Sequence, residues 1–221
     1  MLHAHATKLV RALGWEGRVL GAASLAIAAI AVTPAVQTAQ TTAQVLDAEE
    51  LRVLAAVVDA AYAPIGHGWV LVGARTTTFE CHPPADTGLD VGGCSGMRVS
   101  AETPDERLAT VRSQLSLVTS EMTTDLLLKS RVSALIAQSL ATNVRHVLWA
   151  PGMKLDTAFT GNPAFAAYVS RVGFDSKREK AVVYLGTLNW TDQSKSMGQY
   201  LLLIKEDGAW RVTAGTSVWR K

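Results

Sequence analysis

The sequence predicts an α+β domain, with helices packed on a C-terminal antiparallel β-meander, behind an export segment. Three observations carry this reading. Capped helical patterns occupy much of residues 47–141, four β-rich stretches separated by turn signals follow after residue 165, and a charge-free apolar run lies near the start. With 221 residues, 48% hydrophobic and 18% charged, the chain can bury a sizeable core.

The apolar run comes first. Residues 1–18 carry Lys8, Arg11 and Arg18, and residues 19–32 read VLGAASLAIAAIAV. A cationic lead, an apolar stretch shorter than the roughly 20 residues of a membrane span, and small residues around Pro34 make the three-part pattern of a bacterial secretory signal. The expected organisation is a signal peptide over 1–35, a linker over 36–44 and a single α+β domain over 45–221, with an uncleaved N-terminal membrane anchor as the alternative. Either way the domain is extracytoplasmic, periplasmic or secreted.

Charge then limits the partners. The formal net charge is +2, but three basic residues and one acidic residue precede Ala35, leaving 18 of each sign behind it. A neutral domain without a basic run lacks the counterion-release drive of nucleic-acid binding and an electrostatic grip on anionic lipid. No nucleic acid is expected, and contact with a membrane only through an uncleaved N-terminal segment.

The first helix is predicted over 47–63, where Asp47 and Glu50 form a capping box and Leu51, Leu54, Val58 and Ala61 repeat at helical spacing before Pro64. A strand follows from Trp69 through the β-branched run Thr76 to Thr78, closing at Phe79. Residues 79–97, FECHPPADTGLDVGGCSGM, are dense in Gly, Pro and Asp and read as loop. They hold the only two cysteines, Cys81 and Cys94. An oxidising compartment favours a disulfide between them, worth about 3 kcal/mol by chain entropy. The sharper alternative makes Cys94 a nucleophile with His67, His82 or His146 as its base, but no local motif of a cysteine hydrolase surrounds it. No histidine or cysteine spacing matches a metal site, so neither metal nor cofactor is assigned.

Thr103, Pro104 and Glu106 mark the clearest helix start, continued by Leu108, Val111, Leu115, Val118 and Met122. A further helix is expected over 125–141. The adjacent acids Glu49 with Glu50 and Asp105 with Glu106 sit in first turns, where the helix dipole explains them. Strands are predicted over 167–174, 181–185, 199–204 and 210–218, the last two joined by Asp207-Gly208, the strongest hairpin signal in the chain. Residues 200–204, YLLLI, are apolar on both faces, as a strand covered on both sides requires.

Ser170-Arg171-Val172-Gly173-Phe174, then Ala181, Val183 and Tyr184, then Gly208 and Trp210, resemble the tail of a group of uncharacterised exported bacterial proteins. The resemblance covers about residues 165–221 and implies an extracytoplasmic location and a meander sheet, but no activity. The helix-plus-meander order is also similar to cystatin-like and nuclear-transport-factor-like architectures, which license no function.

Tyr168, Tyr184, Tyr200, Trp190, Trp210 and Trp219 cluster in the last third of the chain. They either line a ligand pocket or fill the core of the meander. Tyr184, Trp190 and Trp219 are the candidate pocket or exposed aromatics, Trp190 because it lies in the turn-rich loop NWTDQSKSMG. Asn189-Trp190-Thr191 is formally a glycosylation triplet, discounted for a bacterial signal. The function expected is a non-enzymatic envelope domain binding a small ligand or an envelope protein. The alternatives are an envelope hydrolase with dispersed residues and a membrane-tethered structural domain.

Overall fold

Asp47 starts the first element by accepting backbone hydrogen bonds from Glu49 (2.9 Å) and Glu50 (2.8 Å), while the Asp47 amide donates to Glu50 Oε2 at 3.2 Å. This closed capping box launches α1, Ala48–Tyr62, which buries Val53, Leu54, Val57, Val58 and Tyr62. A 3-10 turn, Ala63–Ile65, ends it around Pro64. The computed structural model describes residues 44–65, 69–78, 103–150, 165–189 and 192–220. The N-terminal run expected to direct export, the pair Cys81 and Cys94, His67, His82 and Trp190 lie outside the described residues.

The remaining elements are β1 (Val70–Gly73), α2 (Pro104–Gln114), α3 (Ser120–Lys129), β2 (His146–Trp149), β3 (Phe165–Val169), β4 (Gly173–Phe174), β5 (Lys180–Asn189), β6 (Met197–Glu206) and β7 (Ala209–Arg220). Together they form an α+β fold on one mixed seven-stranded sheet in the order β2-β1-β3-β5-β6-β7, with β4 also paired to β5. From β3 onward every pairing is antiparallel, which is the meander expected from the turn-separated strand patterns. The β6–β7 hairpin closes on Asp207 (φ 51°) and Gly208 (φ 80°), the two left-handed residues of a type I′ turn.

Successive residues of β5 and β6 enter different cores. Val183, Leu185, Leu201 and Leu203 join α1 on one face, while Val182, Tyr184, Tyr200 and Leu202 meet Leu108, Val111, Met122 and Leu126 of α2 and α3 on the other. β6 is thus covered on both sides, as its two-faced apolar run predicts. A third cluster, Trp69, Leu71, Val147, Trp149, Ala166 and Tyr168, gathers on β1, β2 and β3.

Three expectations are revised. The stripe from Leu108 to Met122 is two helices, because Leu115 leaves the helical region (φ −115°, ψ 86°) and Thr119 caps α3 anew. Residues 131–145 do not continue a helix. Their amides bond outward instead, Leu135 to the Gln44 carbonyl (2.8 Å) and Ile136 to the Ala74 carbonyl (2.9 Å). Apolar spacing there mimics a helix, and tertiary pairing overrides it. The strand expected to run from Trp69 through Thr76 to Thr78 stops at Gly73, and this β1 pairs in parallel with both β2 and β3, an arrangement that four-residue strands are too short to announce.

The strand expected over 167–174 is broken at its centre. Between Val169↔Leu185 and Gly173↔Val182 one extra residue is inserted opposite β5, a bulge. Ser170 Oγ accepts the Tyr184 amide at 2.9 Å and so replaces the lost ladder bond. Arg171 turns beneath α1 and meets Glu50 in a two-pronged pair, Nε to Oε1 at 2.8 Å and Nη2 to Oε2 at 2.9 Å, with both side chains buried. Its remaining Nη1 donates to Gln44 Oε1 at 2.9 Å. Gly173 runs so close to α3 that a Cβ there would collide with the Met122 carbonyl and Leu126. Phe174 stacks against Trp210 at 5.7 Å between Lys129 and Arg178.

Candidate functional site

Of the aromatics singled out in the sequence, Tyr168, Tyr184, Tyr200 and Trp210 are each at most 8% exposed and fill the core. Tyr184 and Tyr200 face each other at 5.4 Å beneath α2. The Tyr184 hydroxyl accepts Trp219 Nε1 at 2.8 Å, and Arg107 bonds to Tyr200. Burial pushes the Tyr184 phenol up to about 12, the Trp219 bond acting against the shift. Burial also raises Tyr200 and Tyr62, the latter bonded to Thr187 at 2.9 Å. Gly198 makes the Trp219–Tyr184 contact feasible, since a Cβ there would strike both side chains. The structure brings Tyr184 and Trp219 together, while the third candidate, Trp190, lies outside the described residues.

His146 begins β2 and closes the preceding loop. Its Nε2 accepts the Leu140 amide at 3.1 Å and lies 3.1 Å from Ser139 Oγ. Its Nδ1 lies 3.2 Å from the Val144 carbonyl and 3.0 Å from Thr142 Oγ1. Thr142 Oγ1 itself donates to that carbonyl at 2.7 Å, so the ring proton belongs on Nδ1. Nε2 then offers one lone pair, and the Leu140 amide takes it. The Ser139–His146 pair is built as a loop closure, with the base already engaged. Among the described residues no group of three or more His, Cys, Asp or Glu side chains could share a metal ion, and no helix is long and apolar enough to cross a membrane.

Among the described residues a groove of about 760 Å³ lies between the outer flank of α1 and β7. Ala48, Leu51, Ala55 and Ala56 of α1 form one wall, Trp210, Arg211 and Val212 of β7 the other, and Gln138 to Ala141 close one end. Arg52 and Arg211 bring two cations to it, with side chains 65% and 68% exposed. Arg52 pairs with Glu49 at 2.8 Å, but Glu49 is also engaged by Lys205 (2.5 Å) and by Trp210 Nε1 (2.8 Å). The Lys205 bond is the main reason the Glu49 carboxyl is held below its ordinary value; burial opposes it, and the Trp210 bond adds to it. Asp59, the one acid on the described lining, spends its oxygens on the Asn143 amide (2.8 Å), Asn143 Nδ2 (3.1 Å) and the Val144 amide (3.2 Å).

Of these groove residues only Leu51 and Trp210 were named from sequence, as members of a helix stripe and of the aromatic cluster, and the groove itself was not foreseen. Two signals were present: the alanines on the helix flank opposite the buried stripe, and the uncharged run 212–219 after the hairpin. No family model, curated protein or solved structure matches the chain.

Proposed function

We propose that this chain is an exported cell-envelope domain that works by binding a polypeptide partner rather than by catalysis. The observation that carries this reading is the filled interior: Tyr184, Tyr200 and Trp210, the residues a ligand pocket would need, are packed into the two cores. Among the described residues an open groove lies on the surface, of a kind suited to a segment of chain more than to an enclosed small molecule. The export segment and the resemblance of residues 165–221 to exported proteins support the compartment.

The test is photocrosslinking in intact producing cells, with a benzophenone amino acid placed in turn at exposed positions Arg211, Ser113 and Glu121. A discrete polypeptide adduct from at least one position is expected. Absence of any adduct from all three surfaces would remove the reading. The hydrolase alternative rests on one distance, Ser139 Oγ to His146 Nε2 at 3.1 Å. Labelling of Ser139 by a fluorophosphonate, lost in His146→Gln, would favour it; an unlabelled Ser139 is expected because Nε2 is occupied.

A further inference from the structure

We propose that the outer edge of β7 and the adjoining flank of α1 receive an extended, acidic segment of the partner, added to the sheet as a further strand. This rests on the binding reading and gives it a place and a chemistry. β7 is the last strand of the sheet, and among the described residues nothing pairs with its outer edge. Its 12 residues present roughly 40 Å of backbone with amides and carbonyls available along that edge.

Proteins ordinarily guard such an edge with lysines, prolines or inward charges. Here residues 212–219, VTAGTSVW, carry none of these. Two bulges in its pairing with β6, at Leu202/Leu203 and at Gly198/Gln199, divide the edge into short regular stretches, and the stretch 209–212 beside the groove is the template for strand addition. Alternate side chains of an added strand would face α1, and the flank they meet is mostly methyl groups from Ala48, Ala55 and Ala56, which leaves the volume open.

Charge selects among extended segments. Arg52 and Arg211 line the groove with largely exposed guanidinium groups: Arg211 is held only by a solvent-exposed pair to Glu206 at 3.5 Å, which contributes little, and Arg52 shares the Glu49 carboxylate with Lys205 and Trp210. The single lining acid, Asp59, is turned to the Asn143 and Val144 amides. The groove therefore presents two available cations and no available carboxylate among its described residues. An acidic strand fits it and a basic one does not.

The experiment uses the full-length protein in detergent micelles with two synthetic peptides, one alternating Val and Glu, the other alternating Val and Lys. Binding is read by tryptophan fluorescence, since Trp210 borders the groove, and by amide hydrogen exchange. The acidic peptide should bind at least roughly tenfold more tightly than the basic one, with new protection confined to β7. The Arg52→Glu/Arg211→Glu double variant should lose roughly tenfold or more, and Ala56→Trp, which fills the groove without altering charge, should do the same. Both variants should keep the wild-type melting temperature.

Equal affinity for the two peptides, no binding at about 1 mM, or protection appearing on α2 and α3 would overturn the proposal. So would a concentration-dependent dimer that protects β7 by itself, because the occupant would then be a second copy of this chain. If the peptides fail while crosslinked adducts form from Ser113 or Glu121, partner binding stands and only its placement at β7 falls.

Discussion

Arg171 ties three parts of the chain together at one guanidinium: the bulge it belongs to, the first turn of α1 through Glu50, and Gln44 where the described chain begins. Breaking a buried pair leaves an uncompensated charge, which typically costs about 3–5 kcal/mol. Arg171→Leu is therefore expected to lower stability by about that amount in denaturant titration, and Arg171→Leu with Glu50→Leu by less. A loss from the single variant no larger than that of the double would show that the pair is not the keystone described. The tyrosines give a second residue-scale prediction, with a definite sign. A phenol whose folded pKa is raised contributes stability that is complete below its unfolded pKa and disappears as pH rises through the folded value. For Tyr184, from 10.0 to about 12, this places the loss between those two values, and Tyr62 and Tyr200 shift in the same direction. Unfolding monitored by circular dichroism should accordingly become much easier above about pH 10, and Tyr184→Phe should soften that dependence.

At the scale of elements, the bulge and its neighbours explain the residue choices from Ser170 to Phe174. In Ser170 to Phe174, the serine replaces a ladder bond, the arginine pairs with α1, the glycine admits α3, and the phenylalanine stacks on Trp210. Gly173→Ala should destabilise by about 1–3 kcal/mol or more, because the obstacle is the backbone carbonyl of Met122 and not a flexible side chain. Ser130, the C-cap of α3, offers the opposite case. Its buried Oγ has no hydrogen-bond partner among the described residues, and Ser130→Ala should raise stability by about 1 kcal/mol in the same titration. Local chemistry made α1 legible through its capping box, the hairpin through Asp207-Gly208, and β6 through its two-sided apolar run. The end of α3 and the parallel pairing of β1 were not legible. Residues 131–145 carry helical spacing yet give their amides to partners about 60 to 90 positions away, and no window of local sequence contains that information. The groove was hidden for a related reason: α1 and β7 are distant in sequence, and only the folded sheet sets Arg52 beside Arg211.

For the whole molecule, the two faces of the sheet divide the work. The α2–α3 face holds the tyrosine pair and closes over it, while the α1 face is filled by aliphatic side chains together with Tyr62, Phe174 and Trp210 and ends at the open flank beside β7. A domain built this way has its interior committed to stability and its exposed edge available for recognition. Native mass spectrometry of the full chain recovered gently from the envelope tests this directly. The account predicts a noncovalent complex with a second polypeptide, and a chain carrying no small molecule once that complex dissociates. A stoichiometric small molecule retained by a chain without any polypeptide partner would contradict it.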